Sequence, residues 1–291
     1  MIKNLLRRYR DYMNRPVLQK IDEVNKNINF LINQTVSMQD VKTLPSLRIV
    51  QEQQYDILNR LAAFLKSKNV DHFLVYGTLL GAVRHQGFVP WDDDIDIAIF
   101  SEDFDKIIQN EEELEKYGLG LSSPFSRRSS FEFTGWHKVY DLKTKHHISI
   151  FTFDIINNTD PKKIVQVRTK YNKKATEYRR LFQSGKCTFE TMQTKLTALD
   201  REYYTQLDFT TKEKASESAF IIKNICNHHQ QNITKYKYIY PLQNTEFNVD
   251  KEQNNKFPIP NNSAGVLEDF YGKDYMHFPK SVFPLHPHIK K

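Results

Sequence analysis

A chain of 291 residues, 39% hydrophobic and 26% charged, holds enough material for one large core or two modest ones, and its 20 Phe and 15 Tyr argue against wholesale disorder. A net charge of +7 suits an anionic partner (nucleic acid, membrane surface or phosphorylated substrate) or a merely solvated basic surface, without choosing among them. Two cysteines, Cys187 and Cys226, without CxxC spacing signal neither a disulfide framework nor a structural zinc site. Cys226 with His228 and His229 reads more readily as a helix end or loop than as a ligand cluster. No apolar stretch approaches the ~20 residues of a membrane span, and Arg7, Arg8 and Arg10 interrupt any secretory apolar run, so the sequence reads as cytoplasmic.

In chain order, residues 1–34 carry Leu18, Ile21, Val24, Ile28, Leu31 and Ile32 at helical spacing, preceded by Leu5, Leu6, Tyr9 and Met13 among cations. This N-terminal arm has three readings: packing on its own domain or a second copy, a basic amphipathic contact with a membrane surface, or a solvated tail. Residues 35–45 are a polar linker, which divides the chain into an arm of 1–45 and a catalytic domain of 46–285. A long amphipathic helix is predicted over Leu47–Lys68, a buried strand over His72–Tyr76, a short helix over Thr78–Val83 and an alternating strand over Asp94–Phe100. A helix over Phe104–Lys116, strands over Phe131–Leu142 and Ile148–Ile156, and a basic helical stretch over Pro161–Tyr204 follow. Thr245–Pro260 is irregular with one short strand, and Ser263–Tyr271 is a helix with Ser263 as N-cap and Gly272 as its stop.

The chemistry concentrates between Tyr76 and Phe100. Four aspartates, Asp92, Asp93, Asp94 and Asp96, fall within five residues, and the last two run into an apolar strand. The period of two puts Asp94 and Asp96 on one face, where their carboxylates repel unless a cation sits between them. Hard divalent ions take such oxygen ligands together with substrate phosphates. A solvated acidic turn accounts for Asp92 and Asp93 but poorly for Asp96, since Ile95, Ile97 and Ile99 claim the opposite face. Gly77 and Thr78 occupy a strand-to-helix junction, where glycine permits close backbone approach to a phosphate and a helix N-terminus favours anions. Arg84, at the end of that helix, is either a bidentate phosphate clamp or an ordinary helix-end cation.

The block Gly77-Thr78-Leu79-Leu80-Gly81-Ala82-Val83-Arg84-His85-Gln86-Gly87-Phe88-Val89-Pro90-Trp91-Asp92-Asp93-Asp94-Ile95-Asp96 resembles the nucleotidyltransferase superfamily. More closely, it resembles the LicD family of phosphocholine transferases, related to fukutin and fukutin-related protein. Weaker similarity continues at Trp136–Tyr140, at Phe153-Asp154-Ile155, at Phe257–Pro260 and at Tyr271-Gly272, so the likeness spans about residues 50–280 and leaves the arm outside. The fold it implies is α+β, a mixed sheet flanked by helices, with the N-terminal arm and helical insertions. It implies that Asp94 and Asp96 hold Mg²⁺ or Mn²⁺, with Asp92 as a further ligand, and that Asp154 is the third carboxylate, catalytic and metal-ligating. A strand-end cap is the alternative for Asp154. Should it face away, Asp141 or Asp160 takes its place. The chain departs from the family after Asp154, where Ile155-Ile156-Asn157-Asn158 stands in place of a Phe-Pro-x-Asp-like stretch. Gly77, Thr78, Arg84 and Lys138 become substrate contacts.

The activity implied is transfer of phosphocholine from CDP-choline to a hydroxyl of a cell-surface glycan such as lipopolysaccharide, with CMP leaving, in a cytoplasmic protein whose basic arm offers a contact with the inner face of the membrane. Ribitol or glycerol phosphate as the transferred group, and true nucleotidyl transfer to a small molecule or RNA end, are the alternatives within the enzyme class. The long insert from His85 to Trp91 argues against the last. A nucleic-acid-binding protein built on the basic segment Lys162–Arg180 is the rival from another class, but base-stacking motifs are absent and no nucleic acid is expected.

Overall fold

The computed structural model describes residues 41–122, 137–223, 233–250 and 254–277, together with Lys20, Val24 and Asn27. The expected arm of 1–34 otherwise lies outside the described residues, as do Phe131–Trp136 and the Cys226–His229 cluster. Helix α1 (Pro45–Ser67) opens with proline in its first turn, where the missing N–H costs nothing. Its apolar stripe buries Leu58, Leu61, Phe64 and Leu65 completely, each contributing about 1.5–3 kcal/mol of transfer free energy.

Strand β1 (His72–Leu74) leads into α2 (Tyr76–His85), and β2 (Asp96–Phe100) follows. The helix expected over Phe104–Lys116 is two, α3 (Ser101–Gln109) and α4 (Glu111–Lys116), because Asn110 leaves helical geometry between them. The unforeseen β3 (Leu119–Ser122) precedes β4 (His137–Asp141) and the ten-residue β5 (His147–Ile156). The basic helical stretch is a hairpin of α5 (Pro161–Gln183) and α6 (Phe189–Gln206), broken around Gly185 at φ +69°. Short strands β6 (Phe209–Thr210), β7 (Phe220–Lys223) and β8 (Ile233–Lys235), the single turn α7 (Tyr236–Ile239), and the hairpin β9 (Gln243–Glu246) and β10 (Lys256–Ile259) come next. Helix α8 (Ser263–Tyr271) is capped by Asn262, not Ser263: the Asn262 side chain accepts the Gly265 N–H at 2.9 Å, while Ser263 Oγ donates to Pro260 O. Gly272 at φ +84° ends it as expected.

The main sheet runs β1-β2-β5-β4-β3, with β6 and β7 joined to the far half of β5 and β8 joined to β7. Among the described strand pairs of this sheet only β2–β5 is parallel, so the sheet is mixed and the fold is α+β. Paired residues share a face, which fixes what each side carries. One face holds Asp96, Ala98 and Phe100 beside Ser149, Phe151 and Phe153, with Lys138 next in line on β4. The other holds Ile97 and Ile99 beside Ile150 and Thr152, with His137 and Val139 beyond. Both faces are covered, the second by α1 and α3. A smaller core of Ile164, Tyr171, Ala175, Leu199, Tyr203 and Leu207 seats the α5–α6 hairpin on Ile156 and Ile222.

Candidate active site

Three local devices hold the acidic segment against α2. Tyr76 adopts φ +53°, a left-handed conformation costing a non-glycine residue roughly 1–2 kcal/mol, and its ring is locked edge-on against Phe151 at 4.9 Å and beside Phe270 at 5.4 Å. Gly77 then leaves room for a carboxylate: a Cβ there would collide with Asp92 Oδ2. Thr78 is buried, and its hydroxyl accepts the Asp96 N–H at 2.8 Å while Asp96 O accepts the Val75 N–H at 3.2 Å. The Thr78 oxygen thus positions Asp96.

From the other side, α1 clamps the loop that carries the acids. Gln51 Nε2 donates to Asp92 O at 2.9 Å, and Gln54 Nε2 donates to Asp93 O. Both glutamines are buried on the core face of α1. Ladder pairing reaches back past β2, since Ile95 O accepts the Ser149 N–H at 2.9 Å. Asp94 and Asp96 therefore flank a fully buried Ile95 and are themselves half-buried.

The ligand oxygens of Asp92, Asp93 and Asp94 lie within 4.8 Å of one another. Burial first, then the charge of Asp94, a hydrogen bond to Asp94 and the charge of Asp93 push the Asp92 carboxyl well above the usual carboxylate range. Carboxyls forced together in this way, with oxygen-only donors and a glycine cradle beneath, fit a hard divalent cation. Arg84 is half-buried and within electrostatic reach of Asp92; its guanidinium lies over the Trp91 ring at 5.7 Å and donates to Tyr275 O at 3.3 Å. Beside it, burial and then the Arg84 charge lower the His85 pKa to about 4.

The sheet register separates Asp154 from this site. Asp96 pairs with Ser149, so Asp154, five residues on, points to the opposite face with Ile150 and Thr152. There it is buried, and with Arg168 it acts electrostatically on the fully buried Tyr203 of the hairpin. The expectation of a third carboxylate at Asp154 is corrected accordingly. Neither alternative replaces it. Asp141 is held well below its ordinary pKa by the Thr144 N–H first and closes a turn, accepting from Lys143 N, Thr144 N and Arg60 Nη2. Asp160 caps α5, accepting the Lys162 N–H at 2.9 Å. Lys138 does lie on the Asp96 face, two strands away beyond Ser149 and so roughly 10 Å across the sheet.

Residues 69–198 match the family model described as LicD/FKTN/FKRP, nucleotidyltransferase domain. Over that segment the chain matches a LicD-family domain. It is 23% identical over 249 residues to the lipopolysaccharide cholinephosphotransferase LicD of Haemophilus influenzae, covering 80% of this chain and 79% of that protein. It is also 30% identical over 117 residues to an uncharacterized protein of Rickettsia prowazekii, covering 40% and 39% of the two chains. A third match, to an uncharacterized protein of Rickettsia typhi, is 47% identical over 49 residues, 17% of this chain and 16% of that one.

Motif reading overlooked four residues around the site, of which Gln51, Gln54 and Tyr271 lie outside the matched segment and Ser149 within it. Gln51 and Gln54 are polar side chains at apolar-stripe positions of α1, and that misfit was their signal in the sequence. Tyr271 closes α8, and its phenol pKa is raised by burial first and then by the charges of Asp96, Asp92 and Asp94, so it lies within electrostatic reach of all three acids. Ser149 occupies the β5 position facing Asp96, and only the register reveals it. No helix among the described residues is long and apolar enough to cross a membrane.

Proposed function

We propose that this LicD-family domain transfers phosphocholine from CDP-choline to a hydroxyl of a cell-surface glycan such as lipopolysaccharide, releasing CMP, and that it does so in the cytoplasm with a divalent metal ion. The observation that carries the reading is the apposed Asp92–Asp94 carboxyl pair, with Asp92 seated over Gly77, in a segment that matches a LicD-family domain. The Haemophilus influenzae relative, a lipopolysaccharide cholinephosphotransferase, supports the choice of phosphocholine and lipopolysaccharide.

Asp92, Asp94 and Asp96 would hold Mg²⁺ or Mn²⁺, which when bound supplies charge neutralisation for the donor diphosphate. Their spacing is kept by Gln51, Gln54 and the Thr78 hydroxyl. Arg84, partly dehydrated and fixed against Trp91, is set to clamp a phosphate oxygen, and Lys138 supplies a second cation on the same sheet face. Phosphoryl transfer asks chiefly for positioning and charge neutralisation, which these groups offer without a covalent intermediate on the protein.

The test is incubation of the full chain with Mg²⁺ and a panel of CDP-choline, CDP-ribitol and CDP-glycerol, with and without lipopolysaccharide, following CMP. CMP from CDP-choline, accelerated by the glycan and silenced by EDTA, is the expected result. Pyrophosphate release from a nucleoside triphosphate, with no CMP from any CDP-linked donor, would replace the reading with nucleotidyl transfer.

A further inference from the structure

A choline headgroup is a cation that cannot donate a hydrogen bond, so aromatic faces with nearby negative charge are its natural contacts. Around the acidic cluster the aromatic side chains are unequal. Tyr76 is buried, with its ring packed against Phe151 and Phe270. Trp91 already has the Arg84 guanidinium over its ring. Tyr271 is 46% exposed as a whole residue at the last position of α8, with its phenol end the more buried part, and Gly272 ends the helix there.

The placement of Tyr271 is fixed from both sides. Its neighbour Phe270 packs on Tyr76, the residue that opens α2, and Tyr275 O accepts from Arg84 at the end of α2. Tyr271 thus lies along the helix whose Gly77 cradles Asp92, and its phenol senses Asp92, Asp94 and Asp96 together. A partly exposed ring within electrostatic reach of three acids offers both attractions a quaternary ammonium uses.

We propose that the open face of Tyr271 receives the trimethylammonium of the donor and so selects a choline-bearing donor over an uncharged polyol. The inference rests on the phosphocholine reading above and assigns its specificity to one side chain. The role belongs to the ring, which separates it from a role for the hydroxyl.

Donor turnover is measured at fixed Mg²⁺ for wild type, Tyr271→Phe and Tyr271→Leu, using CDP-choline and CDP-glycerol, with melting curves to establish equal folding. Tyr271→Leu should raise KM for CDP-choline by about 2- to 30-fold, the span of exposed to desolvated cation–π contacts, with little change in kcat. Tyr271→Phe should retain the low KM, and Tyr271→Leu should leave the KM for CDP-glycerol within about twofold of wild type, since a polyol makes no cation–π contact. Equal losses in Phe and Leu variants would assign the effect to the hydroxyl and overturn the proposal. So would a Leu variant that treats both donors alike. Wild-type enzyme that turns over CDP-glycerol but not CDP-choline would overturn the donor reading itself, whereas wild-type CDP-choline turnover with an unaffected Leu variant would overturn the Tyr271 assignment alone.

Discussion

Removing one charge from the acidic cluster should stabilise the metal-free protein and abolish its response to Mg²⁺. The ligand oxygens of Asp92, Asp93 and Asp94 lie within 4.8 Å of one another. At that separation and an effective dielectric of about 20, two full carboxylate charges repel by roughly 3.5 kcal/mol. The hydrogen bond between Asp92 and Asp94 relieves part of this by sharing a proton. Asp94→Asn is therefore expected to raise the unfolding free energy of the metal-free protein by about 1–3 kcal/mol. Wild type should gain about 2.7 kcal/mol from Mg²⁺ at a hundredfold excess over Kd, whereas the neutral amide should gain little. At roughly 2 °C per kcal/mol for a chain of this size, the wild-type shift is about 5 °C. Urea and thermal melts in EDTA and in Mg²⁺ read both quantities without any substrate. A variant less stable than wild type in EDTA, or Mg²⁺ stabilising both proteins equally, would refute the cation site.

Asp154→Asn should cost about 2–3 kcal/mol of stability, because it disturbs the buried polar group of Asp154, Arg168 and Tyr203, while kcat/KM of the folded variant stays near wild type. A collapse of kcat with an unchanged melt would return Asp154 to the catalytic centre. His137 is buried against Phe104 at 4.0 Å, and burial lowers its pKa to about 4. The unfolded chain, with an ordinary His pKa near 6.5, binds the extra proton first, so stability present above pH 6.5 is lost as pH falls towards 4, by about 2 kcal/mol between pH 7.5 and 5. His137→Phe should reduce that slope in urea midpoints by its own share, His72 and His85, also lowered, supplying the rest, and an unchanged slope would clear His137 of the effect. Gln54→Leu takes the donor from Asp93 O and should slow turnover about 10- to 100-fold as the acidic loop drifts, with a stability cost of about 1–2 kcal/mol. Full activity in that variant would show that the clamp is dispensable.

The acidic segment was legible because the sequence carries it contiguously: the glycine that leaves space for Asp92 and the acids themselves fall within Gly77–Asp96. The helices and the β2–β5 pair were legible from apolar period, though single residues such as Asn110 and Gly185 divide what periodicity joins. Asp154 was not legible for a physical reason. Ile148, Ile150, Thr152 and Asp154 do share one side of β5, but both sides of this strand are buried, so an apolar stripe cannot say which side faces the acids. A shift of one residue in pairing with β2 would reverse the answer. Tyr271 and the glutamines of α1 are remote in sequence and reach the site only through packing.

The register that removes Asp154 also names what stands in its place. The β5 side chain beside Asp96 is Ser149, a buried hydroxyl, and the next in line is the cation Lys138. The acidic character of the site is therefore concentrated in one five-residue segment, Asp92–Asp96, instead of being divided between two strands. Strands held in a ladder fix their side chains by backbone pairing, whereas Asp92 and Asp93 precede β2, the Asp92 N–H donating instead to Val89 O at 2.9 Å. Mutual repulsion would splay them unless something else held the backbone. The buried amides of Gln51 and Gln54 do this from α1, and the Thr78 hydroxyl does it for Asp96 from α2. Two helices thus hold in place a charge density that the sheet alone could not, and a cation entering between Asp92 and Asp94 would find its ligands already gathered.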